Sequence, residues 1–173
     1  KFELAFEELR KAGILAGNDR EMMLQVITMR ADAYYKSGDY DKAFETFEEA
    51  LKMKADDLTV LNNYAYYLAE QNRNLKEAEK MAESVIKKEK KNTTFLDTYA
   101  WILYKRGRLK EAAKIMESII NSGEKPDAEW YEHYGFILKR RGRCSEAVDA
   151  WQKAINLDSR KENLKKEIES CKR

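Results

Sequence analysis

Proline occurs once and glycine seven times among 173 residues, and both shortages point the same way. Chains that turn often, through hairpins and sandwich corners, need many more of each. There is a single histidine, His133, and only two cysteines, Cys144 and Cys171. That set cannot assemble a closed tetrahedral metal site, and a Ser–His or Cys–His nucleophile would depend on the lone imidazole. No glycine elbow accompanies it, and no GxGxxG or GxxxxGK stretch offers to cradle a phosphate. His133 therefore reads as an ordinary helix residue; no catalytic residue, cofactor or metal is expected. The cysteines, 27 apart, make neither a disulfide framework nor a metal motif. Long apolar runs are missing too, since none reaches the roughly 18 residues that a spanning helix requires. Membrane insertion is accordingly not expected. The opening KFELAFEELR has neither an initiator methionine nor an apolar signal core. Lys1 reads as a cut or processed end, and the expected setting is soluble, cytoplasmic or periplasmic.

What the chain does have is charge. Asp, Glu, Lys and Arg make up 37% of it, yet the net charge is only +2, so opposite signs are interleaved. Apolar residues at 43% suffice for a core. Interleaved charge over a helical period describes exposed helix faces. The carboxylates of FEEA and KEAEK fall beside lysines on such faces, where each i,i+4 pair contributes about 0.2–0.5 kcal/mol.

The chain also repeats itself. YKSGDYDKAFETFEEAL, from Tyr35 to Leu51, returns as YKRGRLKEAAKIMESII from Tyr104 to Ile120. Aligned on those two stretches, Ala43, Ala78, Ala112 and Ala147 recur every 34 or 35 residues. So do Phe47, Ala82, Met116 and Trp151, and so do Ala50, Val85, Ile119 and Ala154. Upstream, Ala31, Ala65, Ala100 and Gly135 keep the same interval. Between the two sets falls a turn element: Gly38, Asn72-Arg73-Asn74, Gly107 and Gly142. Leu61, Tyr64, Ala65 and Leu68 occupy one helical face, and Leu75, Ala78, Ala82 and Val85 another. Each unit is a helix, a turn and a second helix, with small residues where axes approach and large ones between units.

This pattern resembles the tetratricopeptide repeat, which has the same period and layout, in arrays of the bacterial type. Tyr34, Gly38, Tyr40, Ala43, Phe47 and Ala50 are the fullest match to its signature. Arg30 stands where leucine is usual, Ala82 replaces an aromatic, and no repeat closes with a proline in register. The resemblance implies an all-α, right-handed solenoid of stacked antiparallel helix pairs. Repeats are expected at 24–57, 58–92, 93–127 and 128–161, with a partial repeat over 1–23 and a capping helix over 162–173. It further implies a non-catalytic module that binds a protein or peptide partner in a concave groove lined by the first helices. By register, Gln25, Thr28, Asp32 and Tyr35 line that groove, followed by Thr59, Asn62, Asn63 and Tyr66. Asp97, Trp101, Tyr104, Glu132 and Phe136 continue it. Tyr66, Trp101 and Phe136 recur at 35-residue intervals as an aromatic row, large contact area with few rotamers to lose. Asn63 matches the asparagine with which some tetratricopeptide domains grip a chaperone's terminal carboxylates. The basic positions of that clamp read Thr28, Thr94 and Thr98, so chaperone-tail binding is rejected.

Two alternatives remain. One is self-assembly, the array acting as a scaffold within a longer protein. The other uses the basic turns, where Arg106, Arg108, Arg140, Arg141 and Arg143 fall on one edge that could receive an acidic protein or, less in keeping with the net charge, RNA. Nucleic acid is not the expected partner. Charge is uneven along the chain: residues 1–57 hold 9 basic and 13 acidic side chains, net −4. Residues 93–173 hold 17 and 13, net +4.

Overall fold

The computed structural model describes residues 2–172 and contains ten α-helices, with no strand among those residues. They are α1 (Phe2–Ala16), α2 (Arg20–Ser37), α3 (Tyr40–Met53), α4 (Leu58–Glu70) and α5 (Leu75–Lys88). The remainder are α6 (Thr93–Lys105), α7 (Leu109–Ile120), α8 (Ala128–Arg140), α9 (Cys144–Leu157) and α10 (Leu164–Cys171). A 3-10 segment, Ser159–Asn163, joins the last two.

Helix boundaries follow local chemistry. Asp19, Asp57, Asn92 and Asp127 each accept backbone N–H bonds at the start of the helix that follows, satisfying donors with no intrahelical partner. Because Asp19 caps α2, that helix begins four residues ahead of the boundary at 24. Gly38 closes it in the left-handed region at φ 89°, its N–H reaching Tyr34 and Tyr35. At the equivalent turn after α4 the left-handed residues are Asn72 (φ 51°) and Asn74 (φ 45°). Asparagine is one of the few side chains to tolerate that conformation.

The chain divides into two compact units, residues 1–67 and 68–173. In the first, α1 packs on α2 and α2 on α3. Ala31, Ala43, Phe47, Ala50 and Ala65 are fully buried at its centre. Phe47 stacks on Tyr64 with ring centroids 5.5 Å apart, and Phe6 of α1 meets Tyr34 at 4.6 Å. In the second, each helix from α5 packs on its successor, and α6 also touches α8. Ala78, Ala112, Ala147, Met116, Trp151, Val85 and Ala154 are buried there, so the positions that repeat in sequence are the ones that repeat in the core. Gly135 has a specific reason to be glycine: a methyl group on it would collide with the Trp151 indole. That ring instead donates from Nε1 to the Glu132 carbonyl at 3.2 Å.

Two expectations are corrected. Cys144 and Cys171 are joined as a disulfide, their Cα atoms 5.3 Å apart, leaving no free cysteine. α10 returns along α9, with Leu164 and Ile168 buried against it, and brings the last residue of one helix to the first of the other. A separation of 27 residues conceals that meeting because it depends on tertiary packing. Glu79, expected on an exposed face of KEAEK, is buried and held by ion pairs from Arg106 and Arg108.

Candidate functional site

In the first unit, the exposed side of α2 and the start of α4 enclose an open cavity of about 850 Å³. Gln25, Thr28 and Asp32 line it from α2, and Thr59 and Asn63 from α4. These are groove positions predicted by register. Leu24, Met29, Met53 and Val60 supply its apolar wall, and methionine adapts readily to the shape of a ligand. The cavity's cations are engaged: Arg20 Nη2 donates to the Met53 carbonyl at 3.3 Å, and Lys54 lies 3.0 Å from Asp57. Asp57 also accepts the N–H groups of Thr59 and Val60. Asp32 differs, because its Oδ1 is buried without a hydrogen-bond partner. Burial pushes its carboxyl up, opposed by Lys36 and by a hydrogen bond with Tyr67.

The other predicted residues of this unit lie close by. Asn62 is buried and donates from Nδ2 to Asn63 Oδ1 at 3.4 Å. Tyr35 stacks on Tyr67 at 3.9 Å, and Tyr66 meets Tyr67 at 5.6 Å.

The second unit handles the same register differently. Trp101 is only 6% exposed, and its Nε1–H donates to Glu70 at 2.7 Å. Lys105 lies over the indole at 4.7 Å, Tyr104 stacks on it at 4.7 Å, and His133 stacks on it at 4.1 Å. His133, read from sequence as an ordinary helix residue, is buried, its Nδ1 3.0 Å from both carboxylate oxygens of Asp97. Burial by itself lowers the imidazole pKa, but the Asp97 charge and hydrogen bond, with Glu129 and Glu132, leave it raised. Phe136 sets its ring edge-on to Trp151 at 5.3 Å and lies 6.1 Å from Trp101. Glu132 pairs with Lys161, and Lys139 with Glu167 at 2.6 Å. Asp97, Trp101, Glu132 and Phe136 are thus each engaged by other side chains of the unit, namely His133, Glu70, Lys161 and Trp151, and Tyr104 stacks on Trp101.

The basic turns are likewise engaged. Arg106 and Arg108 clamp Glu79, and Arg108 also pairs with Glu111. Arg143 pairs with Glu146 and stands 3.6 Å from Glu117, while Arg140 donates to the Tyr104 carbonyl at 3.1 Å and covers that ring. Arg141 is exposed. Among the described residues no group of three or more His, Cys, Asp or Glu side chains could hold a metal ion, and no helix is long and apolar enough to cross a membrane.

One periodic contact escaped the sequence reading. The hydroxyls of Tyr64, Tyr99 and Tyr134, 35 residues apart, donate to Glu48, Glu83 and Glu117 at 3.1, 3.3 and 3.1 Å. Each ties the first helix of one repeat to the second helix of the repeat before it. The recurrence of both partners is visible in the sequence and could have disclosed the latch.

The profile of the tetratricopeptide repeat family matches residues 28–92, which covers α3, α4, α5 and most of α2. Over those residues the chain is similar to the tetratricopeptide repeat family. Solved structures of similar fold include MamA from Desulfovibrio magneticus RS-1, with 18% identity over 93% of this chain and 88% of that one, at a TM-score of 0.65. PilW, described as a widely conserved type IV pilus biogenesis factor, shares 16% identity over 90% of this chain and 70% of its own, at a TM-score of 0.74. BtubC from P. vanneervenii shares 20% over 91% and 71%, at 0.66. At these identities the likeness is one of fold. A comparison with curated proteins found no match. Tetratricopeptide repeats generally mediate protein–protein interaction and are generally non-catalytic.

Proposed function

We propose that this array is a non-catalytic interaction module that takes a peptide or partner helix along the inner face of its first helices, seated on α2 and α4. The observation that carries the reading is the cavity itself. It lies at register-predicted groove positions and combines an apolar wall with uncommitted polar groups. Such a surface buries contact area while fixing a ligand's orientation through a few hydrogen bonds. Gln25 and Thr59 both line it and are exposed, which makes them suitable probes. Placing a photo-crosslinking side chain at position 25 should capture a partner from native extract, whereas the same group at exposed Lys153 on α9 should not. Filling the groove with Gln25→Trp and Thr59→Trp together should abolish capture without loss of helicity. Capture that survives the filled groove would locate the partner elsewhere.

Self-assembly is the second reading, supported by apolar side chains left exposed on α1 and α2. Leu4 is 73% exposed, Leu15 83% and Met29 58%. An oligomer that grows with concentration in light scattering, and that Leu4→Ser with Leu15→Ser returns to monomer, would assign those side chains to self-contact.

A further inference from the structure

The chemistry of the groove narrows what enters it. Three acids and two bases line the cavity, and both bases already have partners in the protein, as does Asp57. The acids left over are Glu21, whose carboxylate makes no ion pair or hydrogen bond among the described residues, and Asp32, whose Oδ1 is unpaired. They stand on the same helix, eleven residues and three turns apart, at positions that both face the cavity. The surrounding unit carries the same sign, since residues 58–67 contain no charged side chain and leave residues 1–67 at net −4. A chaperone-type acidic tail would meet repulsion here. A cation in the groove would add to Lys36 and Tyr67 in favouring the Asp32 carboxylate against its burial.

Resting on the groove reading above, we infer that the occupant is a cationic peptide segment, one or two lysine or arginine side chains directed at Asp32 and Glu21 with an apolar residue packed on Leu24, Met29 and Met53. The apolar contact supplies buried area, and the acids set selectivity for the charge, because an unpaired charge in a partly desolvated groove penalises any neutral or acidic competitor. Gln25 and Asn63 line the same cavity and bring side-chain amides to it.

The test uses the full chain and three pools of fluorescein-labelled nonapeptides, flanked by apolar residues and carrying lysine, Nε-acetyl-lysine or glutamate at the centre. Fluorescence anisotropy should show the lysine pool binding about tenfold or more tightly than either of the others. Asp32→Asn, which keeps an oxygen for Tyr67, should erase most of that preference, and the exposed change Glu21→Gln should erase part of it. Circular dichroism checks that both variants remain helical; if Asp32→Asn does not fold, Glu21→Gln alone must lower the preference. Equal binding of all three pools, or no binding, would overturn the inference. If the acetyl-lysine pool binds equally well and Gln25→Trp with Thr59→Trp abolishes it, the groove stands and the cation does not. If the lysine pool binds as tightly to the filled groove as to the open one, both fail.

Discussion

Individual side chains in this array divide into those that measure the space between repeats and those that charge it. Trp151 is the clearest of the first kind, fully buried and seated against a glycine that leaves room for its ring. Trp151→Ala should destabilise the protein by about 3–5 kcal/mol, the cost of an unfilled cavity. Gly135→Ala should cost about 1–3 kcal/mol by overpacking the same spot. Urea titration measures both, and a Trp151→Ala protein as stable as the parent would break the register. His133 is the clearest of the second kind. Its pKa is raised in the folded state by Asp97, so its stabilising effect is complete below the ordinary value of 6.5 and is lost as pH rises through the folded value. Unfolding free energy should therefore decline as pH rises above 6.5 and through the folded value, and His133→Gln should flatten that slope while lowering stability overall.

At the scale of elements, the sequence disclosed helices and spacing more readily than what holds the ends. The core positions were legible because burial recurs at every 34 or 35 residues, and Ala43, Ala78, Ala112 and Ala147 repeat on one buried line. The disulfide was not, because Cys144 and Cys171 belong to no repeat and meet only when α10 folds back on α9. Nor was the inward turn of Glu79, since its partners arrive from the next repeat's turn and only tertiary packing places Arg106 and Arg108 over it. Closing a loop of this length by a disulfide contributes about 2–4 kcal/mol. Cys171→Ser should lose that amount under oxidising conditions, and dithiothreitol should bring the parent to the level of the variant. Hydrogen exchange should then quicken first in α10.

Across the whole chain, the aromatic row that periodicity singles out does not behave as one kind of surface. Trp101 and Phe136 are drawn into contacts with Glu70, His133 and Trp151, whereas the open cavity lies at polar positions around Gln25, Asp32 and Asn63. Periodicity identifies which residues share a face. It cannot reveal which of them find partners inside the protein, because that depends on side chains from other helices. The basic turns show the same limit, since Glu79, Glu111, Glu117 and Glu146 answer most of their charge. Binding to single-stranded RNA should accordingly be weak at physiological salt and fall further as salt rises. The claim that the α2 and α4 face receives the partner is most directly tested by hydrogen exchange on the full chain, with and without the partner captured by crosslinking. New protection is expected over residues 20–32 and 57–63; protection confined to residues 105–108 and 139–143, with α2 and α4 unchanged, would contradict that placement.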